Sequence, residues 1–377
     1  MRRMMAMCAA GILLAASLTA CGNSGKSTGD AASAASTTSQ SESAQTGETV
    51  AASNSDSGKP MIGVMIFDYS NNYVTYIRNA ITSVAGDDVD IQMVDAQNDQ
   101  AKQVEQIDLM INKGAKILCV NAVDPTAAQT IISKAKAADV PLIFFNRQPS
   151  EKDMNSYDKC WYVGTTPYDS GKMESELAMD VFQKDKSYDK NGDGVLQYVI
   201  LKGTLGHPDA EARTTANQET FEKAGFKAEC LDIQPGDFKT NTAKDVMDVW
   251  MGKFGDEIEF VLSNNDAMLL GAIESAKADG YFTGDSSKVM GAIGINALPE
   301  VLPLIENGTI NGSIMSNAYG EGSAIYTMAH NILNGEDVMT GIDGELDEMK
   351  ALRVPYETIT KDNIKDAQDM YAKVLKN

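Results

Sequence analysis

The sequence predicts an α/β protein in which two lobes, each built on a doubly wound parallel sheet, follow one another along the chain. Short apolar runs without polar alternation indicate strands that are covered on both faces. Amphipathic helical patterns separate these runs, and the alternation occurs once before Trp161 and again after it. Because strand, helix, strand units give parallel neighbours with right-handed crossovers, we expect two sheets of this kind.

The first lobe contains four strand-like runs, which are "MIGVMIF" (61–67), "VDIQMV" (89–94), "AKILCVN" (115–121) and "VPLIFFN" (140–146). Three helical patterns lie between them, at 71–85, 99–114 and 124–140. Gly114 is a plausible C-cap of the second pattern. Asp124 and Pro125 suit the N-cap and the first position of the third.

The second lobe repeats this order. Its strand-like runs lie at 195–203, 226–233, 258–264 and 288–295, and its helical patterns at 208–224, 239–252, 266–279 and 298–307. A further run at 311–317, a helix at 319–333 and the strand-like "KALRVPY" (350–356) are too few elements for a third domain. We expect them to cross back and complete the two sheets.

The amino terminus has the layout of a secretory leader: two arginines, the apolar run "CAAGILLAASLTA" and then Cys21. The ending "LTAC" resembles a bacterial lipobox, which implies a signal peptide over 1–20 and lipid on Cys21. An ordinary signal peptide with an incidental cysteine is the alternative. Residues 21–59 are too poor in apolar side chains to fold and are predicted to form a tether. Three later cysteines, Cys119, Cys160 and Cys230, favour buried free thiols over a disulfide.

A formal net charge of −21 makes nucleic acid an unfavourable partner. No basic amphipathic segment is present, so membrane contact is expected through the lipid alone. In open parallel sheets the ligand lies beyond the carboxyl ends of the strands. The side chains expected there are mostly amide, carboxylate, imidazole or guanidinium groups, with aromatic rings nearby: Asp68 to Tyr73, Asn121, Asn146, Arg147, His207 to Arg213, Phe238, Asn264 to Asp266, Asn296, Ser316 and Asn317.

This inventory suits a small polyhydroxylated ligand, because vicinal hydroxyls both donate and accept hydrogen bonds while a sugar ring packs on an aromatic face. Asp209 and Arg213 are one helical turn apart and are expected to face the same way. N-capping with a surface ion pair is the structural alternative for this pair. A glycosidase would need a second carboxylate beside Asp209, and none is expected there, so an enzyme is disfavoured.

The stretch "DKNGDGVLQ" (189–197) begins like an EF-hand calcium loop. Oxygen-bearing side chains occupy its first, third, fifth and ninth positions, and glycine occupies its sixth. The twelfth position, where an EF-hand has a bidentate Glu, is Ile200. The loop therefore lacks its closing ligand within the local sequence.

Several long motifs make a resemblance specific. "SNNYVTYIRNAI", "DAQNDQAKQVEQID", "VNAVDPTAA", "IFFNRQPS", "SYDKCWYVGT", "DKNGDGVLQYVILKGTLGHPDAEARTT", "SNNDAMLLGAIES" and "INALPEVLPLIENG" follow, in order and spacing, the bacterial galactose/glucose-binding proteins of ABC transport. The resemblance covers residues 61–377. It implies the type I periplasmic binding protein fold, in which two lobes are joined by a three-crossing hinge.

The resemblance implies that lobe 1 comprises 61–164 plus 318–353, and lobe 2 comprises 165–317 plus 354–377. In that family a distant Glu completes the calcium loop, and the matching residue here is Glu259. The implied ligands of a structural Ca²⁺ are Asp189, Asn191, Asp193, the Val195 carbonyl, Gln197 and Glu259.

The implied sugar-binding residues are Asn71, Tyr73, Asn146, His207, Asp209, Arg213, Phe238, Asn265, Asn296 and Ser316. Four of them depart from the family pattern. Asn71 and Asn296 stand where the family usually has a carboxylate, Phe238 where it stacks a Trp, and Ser316 where it has an Asn. An amide supplies a donor as well as an acceptor, so the preferred sugar is expected to depend on these positions.

The sequence therefore predicts a lipid-anchored, calcium-stabilised, monomeric receptor. We expect it to capture a monosaccharide, with galactose, glucose or methyl-galactoside favoured, and to deliver it to an ABC permease. A sugar-sensing lipoprotein that presents its ligand to a chemoreceptor or histidine kinase is the alternative. The tether favours a Gram-positive cell surface, with the periplasm as the other location.

Overall fold

A computed structural model describes residues 58–375. The predicted leader, Cys21 and most of the tether lie outside the described residues. The strands are β1 (Met61–Ile66), β2 (Asp90–Asp95), β3 (Ile117–Val120), β4 (Leu142–Phe145), β5 (Cys160–Gly164), β6 (Leu196–Lys202), β7 (Ala228–Pro235), β8 (Phe260–Ser263), β9 (Gly291–Ile295), β10 (Gly312–Ser316), β11 (Ala351–Arg353) and β12 (Tyr356–Ile359).

The helices are α1 (Asn72–Val84), α2 (Gln100–Asn112), α3 (Ala128–Ala137), α4 (Glu151–Met154), α5 (Pro167–Lys184), α6 (Pro208–Lys223), α7 (Thr240–Lys253), α8 (Asp266–Ala276), α9 (Leu302–Glu306), α10 (Ala318–Asn334) and α11 (Ile364–Val374). α4, α5 and α11 were not predicted. α9 is shorter than the predicted helix at 298–307, because Pro303 has no N–H and its ring would clash with the carbonyl of residue 299 in a longer helix.

Two six-stranded sheets form the two lobes. Their strand orders are β2-β1-β3-β4-β5-β11 and β7-β6-β8-β9-β10-β12. The predicted α/β class and paired parallel sheets are confirmed, with one correction: β12 runs antiparallel to β10. β11 runs toward the cleft end of its own sheet, and only two residues separate it from β12. The chain therefore enters the second sheet at the carboxyl ends of its parallel strands. β12 then runs in the opposite direction to them.

The chain crosses between the sheets three times, after β5, after β10 and between β11 and β12. Helices cover both faces of each sheet, so strand residues such as those of β3 and β4 are buried throughout. The carboxyl-terminal helix α11 contacts elements of both lobes, since it packs on α1 and α10 as well as on α9 and β12. Cys119, Cys160 and Cys230 are free thiols.

Candidate ligand-binding site

The candidate site lies where the strand order of each sheet reverses. β1 lies between β2 and β3 in the first sheet, and β6 lies between β7 and β8 in the second. At such a switch point the loops leaving adjacent strands diverge and open a crevice at the carboxyl ends of the strands. The loops that follow β1, β4, β6, β8 and β9 carry the predicted polar residues into this crevice.

One cavity collects these side chains, and it shares seven lining residues with an adjoining crevice of about 480 Å³, within the usual range of small-molecule sites, roughly 300–1,000 Å³. Its lining residues are Phe67, Asn71, Tyr73, Asn146, Arg147, His207, Asp209, Arg213, Phe238, Asn265 and Asn296. Nine of the ten predicted sugar-binding residues are in this set. The tenth, Ser316, is buried behind the lining, and its Oγ donates to Asn296 Oδ1 at 3.2 Å.

Three lining side chains cap helices whose amino termini point at the cavity. Asn71 Oδ1 accepts from Val74 N (3.1 Å) at the start of α1. His207 Nδ1 accepts from Asp209 N (3.2 Å) at the start of α6, and Asn265 Oδ1 accepts from Met268 N (2.9 Å) at the start of α8. An N-cap uses its acceptor atom on the helix, so each of these side chains has a donor left for the ligand.

His207 illustrates this arrangement. Since Nδ1 is the acceptor, the neutral ring carries its proton on Nε2, and that atom is buried without a partner among the described residues. Burial lowers the pKa of His207 to about 4, so the ring is neutral at physiological pH. It stands edge-on to the Phe238 ring, with 5.5 Å between centroids.

Three other lining residues have a left-handed backbone directly after a strand or in a tight turn. Asn146, Phe238 and Asn296 have φ values of 60°, 58° and 114°. Non-glycine residues are uncommon in this region, and such conformations concentrate at functional sites. Here the positive φ value turns each side chain away from the preceding strand or loop and into the crevice.

Arg213 and Asp209 both face the cavity from α6, as predicted from their spacing, and both are buried. Arg213 is only 6% exposed. Its Nη1 donates to the Asn264 carbonyl (2.7 Å) and its Nη2 to the Tyr356 hydroxyl (3.3 Å). Its Nε has no partner within residues 58–375, so the Nε–H of this buried guanidinium is available to a ligand.

Tyr73 is held from behind by a carboxyl group that sequence reasoning missed. Its hydroxyl donates to Glu321 Oε1 at 2.8 Å, across 248 positions of the chain. Glu321 lies in the first turn of α10 and is 1% exposed. Burial raises the pKa of this carboxyl to about 8.

Phe67 and Arg147 also line the cavity and were absent from the predicted sugar-binding set. The Arg147 guanidinium stacks on the Phe67 ring at 3.5 Å from its centroid, and Nη1 donates to the Val123 carbonyl at 2.7 Å. Arg147 was recognised as a strand-end residue, and its position next to Asn146 was the available signal. Phe67 is the last residue of an apolar run, so nothing in the sequence separated it from the core.

The predicted calcium loop folds against Glu259, which precedes β8 and is 1% exposed. Glu259 Oε1 accepts from Lys190 N (2.8 Å) and Oε2 from Gln197 N (3.1 Å). Asp193 Oδ2 accepts from the side-chain amides of Asn191 (2.9 Å) and Gln197 (3.0 Å). The loop therefore folds onto Glu259 although 62 positions separate that residue from Gln197.

The donor set consists of oxygen atoms only, as a hard cation requires. Gln197 Oε1 is buried and has no partner among the residues that the structure describes, which fits a ligand atom. Within residues 58–375, however, no three side chains of the His, Cys, Asp or Glu type converge as a metal cluster. Asn191, Gln197 and the Val195 carbonyl would therefore have to supply half of the shell, beside the carboxylates of Asp189, Asp193 and Glu259.

The fold and this cleft define a solute-binding protein with two lobes. Residues 62–337 match the periplasmic binding protein domain, and the chain belongs to that family. The prediction that it is a binding protein and not an enzyme is confirmed by this membership.

Curated relatives are similar in sequence to this chain along most of their length. The D-galactose/methyl-galactoside binding periplasmic protein of Haemophilus influenzae is 38% identical over 309 residues, which cover 81% of this chain and 91% of that protein. A putative rhizopine-binding protein of Rhizobium meliloti is 30% identical over 311 residues, with 81% and 92% covered.

Solved structures have the same fold. An ABC transporter solute-binding protein of Bacillus halodurans with bound myo-inositol is 26% identical, with a TM-score of 0.69 and coverage of 84% of this chain and 100% of that one. One of Actinobacillus succinogenes with bound D-allose has a TM-score of 0.70, covers 82% and 100%, and at 20% identity supports the fold alone. In the described range, no helix has the length and apolar character needed to cross a membrane.

Proposed function

We propose that this chain is an extracytoplasmic receptor that captures a monosaccharide between its lobes and delivers it to an ABC permease. The observation that carries the proposal is the cavity itself. Residues from both lobes supply fork-like amide, carboxylate and guanidinium groups, while Tyr73 and Phe238 supply flat apolar faces. Sugar hydroxyls pair with the former and the C–H faces of a sugar ring pack on the latter.

Hexoses are the first ligands to test. The relative from Haemophilus influenzae, whose name specifies galactose and methyl-galactoside, supports this choice. Asn71 and Asn296 distinguish the site from the family pattern, which has carboxylates there. Their oxygens accept hydrogen bonds from Val74 N and Ser316 Oγ. Each amide is thus expected to present its NH₂ group to the ligand, where a carboxylate would present an acceptor.

Thermal unfolding of the purified protein with galactose, glucose, methyl-galactoside and other monosaccharides tests the proposal. A ligand at 100 times its Kd stabilises the folded state by about 2.7 kcal/mol, which raises Tm by several degrees. Asp209→Asn should abolish this shift. Glu222→Gln, on the exposed face of the same helix, should retain it. If no monosaccharide raises Tm, the proposal fails.

Delivery to a permease is testable by capture with the liganded protein. Enrichment of ABC permease subunits supports the transport role, whereas enrichment of a histidine-kinase or chemoreceptor ectodomain supports the sensing role.

Lipid attachment at Cys21 predicts that a palmitate label enters the protein and does not enter Cys21→Ala. Without that difference, the anchor and the membrane attachment that depends on it are rejected.

A structural calcium ion is the second part of the proposal. Asp189, Asn191, Asp193, the Val195 carbonyl, Gln197 and Glu259 would hold it, and the unpartnered Gln197 Oε1 is the observation that favours a cation there. The ion would link the loop before β6 to the residue before β8 and so stabilise the second lobe. Its role would be structural, with no chemistry at the sugar.

Chelation tests this part. At 100 times its Kd, calcium adds about 2.7 kcal/mol to the free energy of unfolding, and EDTA should remove it. Glu259→Gln should lower Tm and make it insensitive to EDTA. The matched control is Glu257→Gln, because Glu257 is exposed two positions away. Equal Tm of the wild-type protein in calcium and in EDTA would exclude the structural ion.

A further inference from the structure

Among the described residues, the buried atoms of the cavity lining that lack a partner are hydrogen-bond donors. The capping side chains Asn71, His207 and Asn265 each already accept a hydrogen bond from the helix they cap. His207 Nε2 and Arg213 Nε are buried and without partners in the described range. Neutral hydroxyls need an acceptor for every proton they donate, and Asp209 is the only carboxylate among the lining residues.

The charges that line the cavity also favour an anionic ligand. The amino termini of α1, α6 and α8 point at the cavity, and each carries a partial positive charge. Two guanidinium groups, Arg147 and Arg213, line the cavity against one carboxylate, Asp209. The Arg213 side chain, more than nine-tenths buried and with a free donor, supplies an observation independent of the helix termini.

Acids outside the cavity lining offset this charge. Asp68 and Asp237 stand at the mouth of the cleft together with Lys239. One oxygen of Asp68 accepts from Ser70 N and Oγ, and one oxygen of Asp124, near Arg147, accepts from Thr126 N and Oγ1. Burial raises the pKa of Glu321 to about 8, so this carboxyl behind Tyr73 is mainly uncharged at pH 7.

We propose that the preferred ligand is an acidic hexose, a hexuronate whose carboxylate is bound by the arginines and helix amino termini of the cavity. The inference rests on the proposed function, because the ring and its hydroxyls would still be held by Phe238, Tyr73 and Asp209. Asn71 and Asn296 are neutral amides, so they add no negative charge to the lining that would repel such a ligand. A planar carboxylate also matches the fork of a guanidinium group.

Calorimetric titration of the full-length protein with D-galacturonate, D-glucuronate, galactose, glucose and a hexose 6-phosphate tests the inference. We expect one hexuronate to bind at least about tenfold more tightly than its neutral hexose, the effect of one charge-assisted hydrogen bond. Asn71→Asp and Asn296→Asp should each weaken hexuronate binding by about tenfold or more relative to galactose binding, because each adds a negative charge to the cavity lining. Asn112→Asp adds the same charge at the exposed carboxyl end of α2, away from the cleft, and should change neither.

The outcomes separate the inference from the function on which it rests. Tighter binding of galactose or glucose than of either uronate overturns the acidic ligand and keeps the sugar receptor. Tighter binding of a hexose 6-phosphate overturns the carboxylate in favour of another anion. Absence of binding by all these sugars overturns both. The wild-type comparison alone decides the case if the Asp variants do not fold.

Discussion

Gly203→Ala should weaken ligand binding by displacing the ring of Phe238. A Cβ built on Gly203 would lie 2.1 Å from Phe238 Cζ, whereas ordinary contacts begin near 3.4 Å. The ring must therefore shift by more than about 1 Å. Phe238 is half-buried and lines the cavity, so the ring can swing, but only by leaving the face on which a sugar would pack.

The magnitude follows from what the ring contributes. An aromatic contact is worth about 0.5–1.5 kcal/mol beyond its buried area, so Kd should rise by about 2- to 12-fold. Gly203 does not have a left-handed backbone, so the substitution adds no backbone strain of its own. Tm without ligand should therefore change little, because the displaced ring is at the cavity wall.

Isothermal titration with the best sugar from the thermal screen is the assay, and Gly252→Ala is the matched control. Gly252 lies in α7 with open space where a Cβ would stand, and its replacement should leave Kd unchanged and stabilise the helix by about 0.5–1 kcal/mol. In a Phe238→Ala background, Gly203→Ala should have no further effect on Kd. Native affinity in Gly203→Ala alongside weak binding by Phe238→Ala would refute the reasoning.

Three further predictions concern buried ionisable groups. Glu321→Leu removes the acceptor that holds Tyr73 and should weaken ligand binding several-fold, whereas Glu321→Gln keeps an acceptor and should restore it; equal Kd values for the two variants would contradict this. Burial lowers the pKa of His207 to about 4, so Kd should stay constant from pH 8 to about pH 5.5 and rise toward pH 4, and a transition centred near 6.5 would be inconsistent. Burial raises the pKa of Glu174 to about 8, so its contribution to stability is complete below about pH 4.5 and is lost as the pH rises through 8. Denaturant titrations across this range should give a smaller decline for Glu174→Gln than for the wild-type protein.

The sequence was sufficient for the fold class because periodicity is a local property. Unalternating strands between amphipathic helices predicted two parallel sheets, and the strand-end rule selected most of the polar cavity residues. The sequence was insufficient where the direction of a strand or the position of a helix depended on contacts with neighbouring elements. β12 is antiparallel because the chain enters the second sheet at its cleft end. The helix α11 packs on elements of both lobes.

The candidate site divides in the same way. Asn71, His207 and Asn265 could be predicted because each follows a strand and precedes a helix, which places a capping side chain at the cleft. The pairing of Tyr73 with Glu321 spans 248 positions, and the stacking of Arg147 on Phe67 joins a loop to the end of an apolar strand. No local pattern encodes such contacts.

The sequence by itself therefore determined which residue types reach the crevice, since strand and helix boundaries are set by nearby residues. Only the tertiary structure decided which of their atoms remain available to a ligand. Helix caps and the interactions behind the lining engage many of these atoms, and the two buried lining atoms that lack a partner in the described range, His207 Nε2 and Arg213 Nε, are donors. Hydrogen-bonding capacity is distributed among all the partners that a side chain meets in the folded protein, and most of those partners are distant in the chain.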